Sequence, residues 1–263
     1  MVCKKIQSPD PPKFLYKYRA FNLQDNLDHT IALMHGRLYF CHPAKLNDPF
    51  EFQSMTKHVF DMNEAIALAH KLQPHLKPEL RRDSNEWQSW ILNAANAFLA
   101  ESWRSESLVH EDYSDAQLGV FCASNRPNNV RMWSHYGASH TGICVAIRAD
   151  LVHQRNAFLE VDYTVEMPVV SMIDCTKSVK AYLRPFLSKS REWLSEEEWR
   201  CFSAIGEKDF GTDIVAEVII GARMKDDQRE KLDPILQSLP GHVGIFESVL
   251  SKHSYALGLK RIR

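Results

Sequence analysis

The sequence lacks any excess of charge of one sign. Its 32 lysine and arginine residues face 33 aspartate and glutamate residues, so the formal net charge is −1. This balance gives no global electrostatic argument for binding nucleic acid or an anionic membrane surface. There is also no apolar run long enough for a membrane span, and the polar start does not have the pattern of a secretory signal. We therefore expect a cytoplasmic protein with no membrane partner.

Closely spaced cysteines are absent as well. The six cysteines are at positions 3, 41, 122, 144, 175 and 201. None forms a Cys-x-x-Cys pair, which argues against a zinc knuckle or a thioredoxin-type site. Cys122 and Cys144 lie in apolar, strand-like runs, where a thiol behaves as a small hydrophobic side chain. The pattern is typical of a reduced cytosolic protein, and no metal is expected.

No internal repeat and no strict alternation of strands with helices organises the chain. Its 44% hydrophobic and 25% charged residues are ordinary for a globular protein, and 263 residues can bury a substantial core. Short strand-like runs lie on both sides of a long helical stretch. We therefore predict one α+β domain over residues 1–263, with a mixed, mainly antiparallel sheet and a helical insertion at about residues 60–112.

Hydrophobic periodicity predicts the individual elements. Strands are expected at residues 14–19, 37–41, 118–122, 143–147, 158–163, 199–203, 214–220, 243–247 and 255–262. Helices are expected at residues 23–34, 63–110, 130–136, 176–193 and 225–238. Residues 124–129 are expected to form a loop.

Polar side chains crowd the turn between the short helix at residues 130–136 and the apolar strand that follows. Asn128 or Asn129 can cap this helix, and Gly137 can supply a left-handed stop. The buried strand does not require the polar residues before it, which are Ser134, His135, Tyr136, Ser139, His140 and Thr141. Polar residues concentrated on a connection between rigid elements are a hint of function.

Four polar clusters are candidates for a site. They are Lys17–Arg19, Asn47–Glu51, His135–His140 and Trp193–Arg200. Glu196 and Glu198 would share a face if their backbone is extended. A carboxylate beside aromatic walls can stabilise a cationic transition state or have its pKa raised for acid–base work. We expect Trp133 and Trp193 to be largely buried and to hold the clusters in place.

Each cluster also has an ordinary structural explanation. Arg19 can pair with a surface carboxylate, and Asp48 before a proline can simply start a turn. His135 and His140 can be hydrogen-bonded structural histidines. A run of three glutamates is usually a solvated face. A functional interpretation is favoured for the last cluster, because its glutamates lie between two tryptophans, which is not the composition of a freely solvated run of charges.

The four clusters, in this order, resemble a bacterial family known as domain of unknown function 2971. Its members typically show a Lys-Tyr-Arg-like start, Asn-Asp-Pro-Phe-Glu after a Leu-Tyr-Phe strand, Met-Trp-x-x-Tyr-x-x-x-His-x-Gly, Trp-x-x-Glu-x-Glu-Trp-Arg, and a Glu-Val-Ile-x-Gly strand. The matching segments here are Lys17–Arg19, Asn47–Glu51, Met132–Gly142, Trp193–Arg200 and Glu217–Gly221. The likeness covers most of the chain outside the helical stretch, and it implies no particular reaction.

More distantly, the chain resembles the ADP-ribosyltransferases, which combine an arginine on the first strand, a central serine and a late Glu-x-Glu pair. The resemblance implies NAD as the cofactor, with Arg19 on its phosphates and Ser124 near its nicotinamide ribose. It also implies that Glu198 stabilises an oxocarbenium-like transition state, while Glu196 orients or deprotonates the acceptor. The serine here is a single residue in Cys-Ala-Ser-Asn, and Asn-Asp-Pro-Phe-Glu is no hallmark of these enzymes.

The candidate residues divide into two groups. Catalytic roles are predicted for Glu198, Glu196 and His135. Cofactor binding is predicted for Arg19, Tyr18, Ser124, Tyr136, Trp133, Asn47, Asp48 and His140, with Tyr136 or Trp133 stacking on the nicotinamide. We expect one shared cavity lined by Arg19, Asn47, His135, Tyr136 and Glu198, because active sites collect residues from several elements.

The sequence leaves three functions open. The first is NAD-dependent ADP-ribosyl transfer from a nucleotide-like small molecule to a protein or nucleic-acid acceptor. The second is a metal-assisted hydrolase or nuclease that uses His135, His140, Asp48 and Glu198. The third is a non-catalytic ligand-binding module, for example a component of phage defence or of a toxin–antitoxin pair.

Overall fold

The structure is a computed structural model that describes residues 9–21, 27–53, 55–57, 61–101, 118–171 and 179–263. The chain groups into two compact units. The helical unit comprises Met1–Ile6, Phe50–Asp115 and Thr164–Ser188, and the sheet unit comprises Gln7–Pro49, Ala116–Tyr163 and Lys189–Arg263. The predicted α+β class is confirmed, whereas the prediction of a single domain stays a prediction.

Strands and helices are numbered along the described residues. The strands are β1 (Phe14–Arg19), β2 (Arg37–Phe40), β3 (Met55–Lys57), β4 (Leu118–Ser124), β5 (Ile143–Arg148), β6 (Phe158–Glu160), β7 (Asp162–Thr164), β8 (Val169–Ser171), β9 (Ser188–Ser190), β10 (Glu198–Ala204), β11 (Gly206–Asp209), β12 (Val215–Ile220), β13 (Gly244–Leu250) and β14 (Leu257–Arg261). The helices are α1 (Leu27–Met34), α2 (Met62–Leu76), α3 (Asn85–Glu101), α4 (Val130–His135), α5 (Ala149–His153), α6 (Val179–Leu187) and α7 (Asp226–Ser238). None of these helices is long and apolar enough to cross a lipid bilayer.

An eight-stranded sheet in the order β14-β13-β12-β5-β1-β4-β10-β6 forms the centre of the sheet unit. All neighbouring strands are antiparallel except β12 and β13, which are parallel. The predicted mixed, mainly antiparallel sheet is therefore confirmed. Burial explains β5, because its continuous apolar run from Ile143 to Ile147 is covered on both faces.

The sheet is nearly split between β1 and β4. β1 pairs with β5 along its whole length, whereas its pairing with β4 is the single residue pair Tyr16–Ser124. Further along β4, Cys41 pairs with Val120 on the edge that β1 has left. Two backbone hydrogen bonds, of 2.9 and 3.0 Å, join these two residues. The sheet therefore consists of a five-stranded part and a three-stranded part, and we call the stretch where β1 and β4 are unpaired, on the Arg19 side of Tyr16, the opening.

Apolar layers cover both faces of this sheet. One face packs Leu15, Phe121 and Val145 against α1 and α7 in the main core. The other face carries a smaller cluster around Tyr18 and Trp133. The strands around the opening are therefore held from both sides.

The helical unit contains the predicted helical insertion. α2 and α3 pack together through two small apolar clusters, one around Leu68 and Ala95 and the other around Trp87 and Ile91. Asp61 caps α2 by accepting a hydrogen bond from the backbone N–H of Glu64 at 2.9 Å. Helix is confirmed over residues 62–76 and 85–101, but the continuous helix predicted at residues 63–110 is wrong, because residues 77–84 form turns between α2 and α3. The prediction for residues 102–110 lies outside the described residues.

Other predicted elements also differ in extent from those of the structure. The strand predicted at residues 158–163 is interrupted at Val161, and the helix predicted at residues 176–193 ends at Leu187. Pro185 lies in the last turn of α6, where it lacks the N–H that would bond back to the preceding turn, and this weakens the end of the helix. β9 and a 3₁₀ turn, Arg191–Glu196, follow instead. Residues 172–178 lie outside the described residues.

Candidate functional site

The polar segment identified in the sequence begins at α4. Asn129 caps this helix, and its side-chain oxygen accepts hydrogen bonds from the N–H groups of Arg131 and Met132 at 3.0 and 3.2 Å. Trp133 is fully buried, and its indole N–H donates to the carbonyl of Pro127 at 3.0 Å. The predicted short helix and the predicted burial of Trp133 are confirmed.

The turn after α4 differs from the prediction for Gly137. The left-handed residues are Ala138, Ser139 and His140, with φ angles of 48°, 55° and 71°. Gly137 is required for space instead, because a Cβ there would lie 2.7 Å from a ring carbon of Trp133. Three consecutive non-glycine residues at positive φ are costly, and such strain gathers at functional sites.

Four buried ionised side chains form the centre of the candidate site, and we call Lys189, Glu196, Glu198 and Arg200 the carboxylate cluster. The Lys189 ammonium lies 2.6 Å from Glu196 Oε2 and 2.8 Å from Glu198 Oε2. Arg200 donates to both oxygens of Glu198, at 2.8 Å from Nε and 3.3 Å from Nη2. Two cations therefore face two carboxylates in a nearly water-free environment.

The backbone brings Glu196 and Glu198 together in a different way from the one predicted. Glu196 ends the 3₁₀ turn, and Glu197 is left-handed, with φ 45° and ψ 54°. The segment is therefore not extended, and the two carboxylates meet at Lys189 because the chain turns sharply between them. Glu197 is directed elsewhere and pairs with Arg126 at 2.7 Å.

Ser124 fixes this turn from the neighbouring strand. It is the last residue of β4, not the start of the predicted loop, and it lies directly opposite Glu198 in the sheet. Its hydroxyl donates to the carbonyl of Glu196 at 2.6 Å, and the N–H of Asn125 donates to the carbonyl of Glu197 at 3.0 Å. Ser124 therefore positions the backbone of the glutamates, and its hydroxyl does not contact their carboxylates.

The environment of Glu198 keeps it ionised. Burial alone would raise its pKa, but Arg200 and Lys189 together hold the pKa of this carboxyl well below its usual range. The hydroxyl of Tyr163 accepts a hydrogen bond from the backbone N–H of Glu198 at 2.9 Å, and burial raises the pKa of this phenol. Glu198 is therefore suited to electrostatic stabilisation and poorly suited to proton transfer.

Tyr136 and Asn47 extend the cluster toward solvent. The Tyr136 hydroxyl donates to Glu196 Oε1 at 2.8 Å, and the amide of Asn47 donates to the same hydroxyl at 3.0 Å. Burial, followed by the charge of Glu196, raises the pKa of Tyr136, so the phenol stays protonated. The structure thus joins three of the predicted site residues in one hydrogen-bonded chain.

The aromatic rim is more open than predicted. Trp193 is only half-buried, so the expectation that it is largely buried is wrong. The Lys189 ammonium lies 5.2 Å from the centre of its ring, and exposed His135 lies 6.4 Å from the same ring. The 3₁₀ turn that carries Trp193 follows the outside of the cluster, which leaves one side of the indole in solvent.

Two further cations, Lys17 and Arg19, lie at the opening between β1 and β4, and we call them the cation pair. Lys17 donates to the carbonyl of Cys122 at 2.6 Å, and its ammonium lies 5.0 Å from the ring of Phe121. The buried Nε of Arg19 has no hydrogen-bond partner. Within the described part of the chain, neither cation has a carboxylate within 4.0 Å.

Burial lowers the pKa of both members of the cation pair, and for Lys17 the charge of Arg19 lowers it further. Glu198 raises the pKa of Lys17 in turn, so the cation pair and the carboxylate cluster are within electrostatic range. Buried charges are normally paired, because taking an ion out of water is costly. Lys17 and Arg19 are half-buried, and with no carboxylate beside them among the described residues they are candidates for holding an anion.

The sheet register gives the relation of Arg19 to Glu198. Tyr16, Ser124 and Glu198 lie side by side on three neighbouring strands, and Arg19 is three residues further along β1. In an ideal sheet the Cα atoms of Arg19 and Glu198 would be roughly 14 Å apart. Strand alternation directs Arg19 to the opposite side of β1 from Tyr16, so the two residues do not touch, and a shared cavity stays a prediction.

The other predicted residues have separate contacts. His140 stacks on Trp133 with ring centres 6.3 Å apart, and its Nε2 lies 3.2 Å from the hydroxyl of Ser134. The Tyr18 hydroxyl donates to the carbonyl of Arg126 at 2.5 Å. Asp48 is buried in the sheet unit. These residues support the polar turns around the cluster.

No individual role was predicted for Lys189, Arg200 or Lys17, although Lys17 and Arg200 belong to two of the four polar clusters. Lys189 lies in the segment predicted to be helical at residues 176–193. A helix there does not predict that Lys189 contacts Glu196 and Glu198. Arg200 offered a signal, because an arginine two residues after a glutamate on a buried strand shares its face. Lys17 follows the apolar Leu15 in alternation, which also predicts an inward direction.

No family model matches the chain, and no similar curated protein or solved structure was found. In the described ranges, no group of three or more His, Cys, Asp or Glu side chains could hold a metal ion. The resemblances to family 2971 and to the ADP-ribosyltransferases therefore stay predictions based on motifs.

Trp133→Ala is expected to lower the free energy of unfolding by about 3–5 kcal/mol, because a fully buried indole would be replaced by a cavity. Trp193→Ala should cost clearly less, since that ring is half-buried. Urea denaturation followed by circular dichroism measures both. Equal losses in the two variants would contradict the burial described for these residues.

Proposed function

We propose that the protein is a cytosolic enzyme that transfers ADP-ribose from NAD, with the dinucleotide bound at the opening between β1 and β4. One observation carries the proposal. A cation pair without a carboxylate in the described residues lies on β1 beside the opening, and Glu198, whose pKa is held low by Arg200 and Lys189, lies two strands away. An anionic group and a developing positive charge are the two features that these sites would recognise.

The cation pair would hold the phosphates. The guanidinium of Arg19 presents several donors in a fixed plane, which suits phosphate oxygens, and its Nε has no hydrogen-bond partner among the described residues. Lys17 would add a second positive charge from the same strand. A bound diphosphate would neutralise both cations, so its attraction would be strong in this buried position.

Glu198 would act at the other end of the substrate. When the bond between ribose C1′ and the nicotinamide nitrogen breaks, nicotinamide leaves as a neutral base with the bonding electrons, and positive charge develops on the ribose. A fixed carboxylate stabilises that charge. Because Lys189 contacts both carboxylates, it can remain on Glu196 while an oxygen of Glu198 faces the sugar.

Glu196 would serve the acceptor. A lone pair of the acceptor forms the new bond to C1′, and the acceptor proton would pass to Glu196. The hydrogen bonds from Tyr136 and Lys189 hold this carboxylate in place, and Asn47 beside Tyr136 is exposed to solvent. A protein or nucleic-acid acceptor would approach from this rim, where His135 and Trp193 are also accessible.

The other two functions have less support. His135 and His140, which the metal-assisted alternative would use, contact different neighbours: Trp193 for the first, Trp133 and Ser134 for the second. A non-catalytic binding module would explain the cation pair equally well. A binding module has no use for an ionised Glu198. A loss of NAD turnover when Glu198 is replaced would therefore favour the enzyme over the binding module.

Arg19→Ala is expected to weaken NAD binding by about tenfold or more, because it removes a half-buried cation from the proposed phosphate site. Arg37→Ala is the matched control, since Arg37 pairs with Glu207 at 3.0 Å on the surface. Isothermal titration calorimetry with NAD on the wild type and both variants makes the comparison. Equal affinity of the wild type and Arg19→Ala would refute the assignment.

The stability of Arg19→Ala separates a binding role from a structural one. Removing a half-buried cation that has no carboxylate partner among the described residues should not lower the free energy of unfolding by more than about 1 kcal/mol, whereas breaking a buried ion pair would cost several kcal/mol. Urea denaturation without nucleotide is therefore expected to give a value no more than about 1 kcal/mol below that of the wild type. A large loss would identify Arg19 as a structural residue.

A further inference from the structure

The sheet unit has a second charged feature, far along the chain from the carboxylate cluster. Residues 251–263, which we call the basic edge, contain four cations and no acidic residue, although the whole chain has a net charge of −1. The cations are Lys252, Lys260, Arg261 and Arg263, and all four are exposed. Positive charge is thus concentrated at one place in a chain whose total charge is close to zero.

The basic edge follows the border of the sheet. β14 is the last strand of the eight-stranded sheet as far as the described residues show, so its outer side is open. Lys252 lies in the turn between β13 and β14, and Arg263 lies just beyond β14. At about 3.3 Å per residue, the strand and the residues after it place these charges along a line of roughly 20 Å.

An aromatic side chain completes the feature. Tyr255 in the same turn is fully exposed, and its ring has no described contact. Exposed aromatic rings beside a line of cations are typical of surfaces that stack nucleobases while they neutralise phosphates. An aromatic ring left entirely in water does not contribute to the core, so packing does not account for it.

We propose that the basic edge binds single-stranded nucleic acid, with cations along the strand on the phosphates and Tyr255 against a base. A linear polyanion matches a linear array of cations. A membrane surface fits less well, because alternation directs Leu259 and Arg261 to one side of β14 and Lys260 and Ile262 to the other. Neither side therefore offers the amphipathic plane that inserts into an interface.

Nearby carboxylates do not cancel the charge. Glu247 lies opposite Lys260 on β13, but it also faces Arg229 at 3.9 Å. Glu217 on β12 is half-buried, and burial raises its pKa although the charge of Arg261 acts in the opposite direction. These are the acidic residues that the neighbouring strands direct at the basic edge. The four cations of the basic edge therefore outnumber these two carboxylates, and the local net charge stays positive.

The test is fluorescence anisotropy with labelled 20-nucleotide oligo-dT and oligo-U between 50 and 300 mM NaCl. Binding to three or four phosphates predicts a slope of log affinity against log salt of about −2 to −3. Lys260→Glu/Arg261→Glu is expected to weaken binding at least tenfold, and Tyr255→Ala about fivefold or more. Comparing the two oligonucleotides shows whether DNA or RNA is preferred.

The matched control is Arg155→Glu/Lys231→Glu, which makes the same change in net charge at exposed positions elsewhere in the sheet unit. It should bind within twofold of the wild type. Equal weakening by both double variants would overturn the proposal, as would no binding at 50 mM NaCl. Binding only to vesicles with anionic lipid, or only to polyglutamate, would also overturn it. Circular dichroism confirms that every variant is folded.

Discussion

Replacing Lys189 by methionine is expected to lower the free energy of unfolding by about 3–5 kcal/mol, because it leaves a buried carboxylate cluster with one cation. The Lys189 side chain is only 3% exposed, and its ammonium contacts both Glu196 and Glu198. Methionine keeps most of the aliphatic volume, so the loss reports mainly the charge. Urea denaturation at pH 7 gives the two free energies.

An exposed lysine provides the control. Lys231→Met on α7 should change the free energy of unfolding by less than about 0.5 kcal/mol, since exposed charges contribute little. A loss below about 1 kcal/mol in Lys189→Met would show that the cluster is hydrated. Its glutamates would then not have the dry, fixed arrangement described above.

The pH dependence of the wild type follows from the same cluster. The pKa of Glu198 is lower in the folded chain than in the unfolded chain, so the unfolded chain binds more protons in acid. The stabilisation is fully present above about pH 5, because an unfolded glutamate titrates near pH 4.3. It should be lost progressively as the pH falls toward the lowered pKa, and Lys189→Met should show a weaker loss over this range.

Replacing Glu198 by glutamine is expected to reduce the release of nicotinamide from NAD by about 100-fold or more. The substitution keeps the shape and part of the hydrogen bonding but removes the charge proposed to stabilise the ribose cation. NAD affinity should remain within a few-fold, because the phosphates are assigned to the cation pair. Chromatographic quantification of nicotinamide, together with calorimetry of NAD binding, separates turnover from affinity.

Glu207→Gln supplies the comparison for this experiment, since Glu207 lies on β11 and pairs with Arg37 on the surface. Its turnover should equal that of the wild type. A Glu198→Gln protein that is folded and turns NAD over at the wild-type rate would contradict the role of Glu198. If binding and turnover fell by the same factor, Glu198 would be a ground-state binding residue instead.

Much of the sheet unit could be predicted from local patterns. The apolar run from Ile143 to Ile147 has the composition of a strand covered on both faces, and its neighbours show recognisable strand lengths. The cap at Asn129 depends on a side chain within three residues of the N–H groups that it accepts from. Such features need no information about distant parts of the chain.

The candidate site depended on contacts that local patterns do not contain. Glu196 and Glu198 meet because Glu197 adopts positive φ, which a glutamate rarely does and which sequence periodicity therefore does not anticipate. Lys189 reaches them from β9, which follows directly after α6 ends at Leu187. The position of the cation pair depends on how β1 separates from β4, and that is a property of the assembled sheet.

The most direct test of the account is the release of nicotinamide from NAD by the folded wild-type protein, with protein and nucleic-acid acceptors supplied in turn. The account predicts release in proportion to the enzyme concentration, almost none from Glu198→Gln, and a higher NAD requirement for Arg19→Ala. A folded wild-type protein that neither binds NAD in calorimetry nor releases nicotinamide with any acceptor would contradict the proposed function.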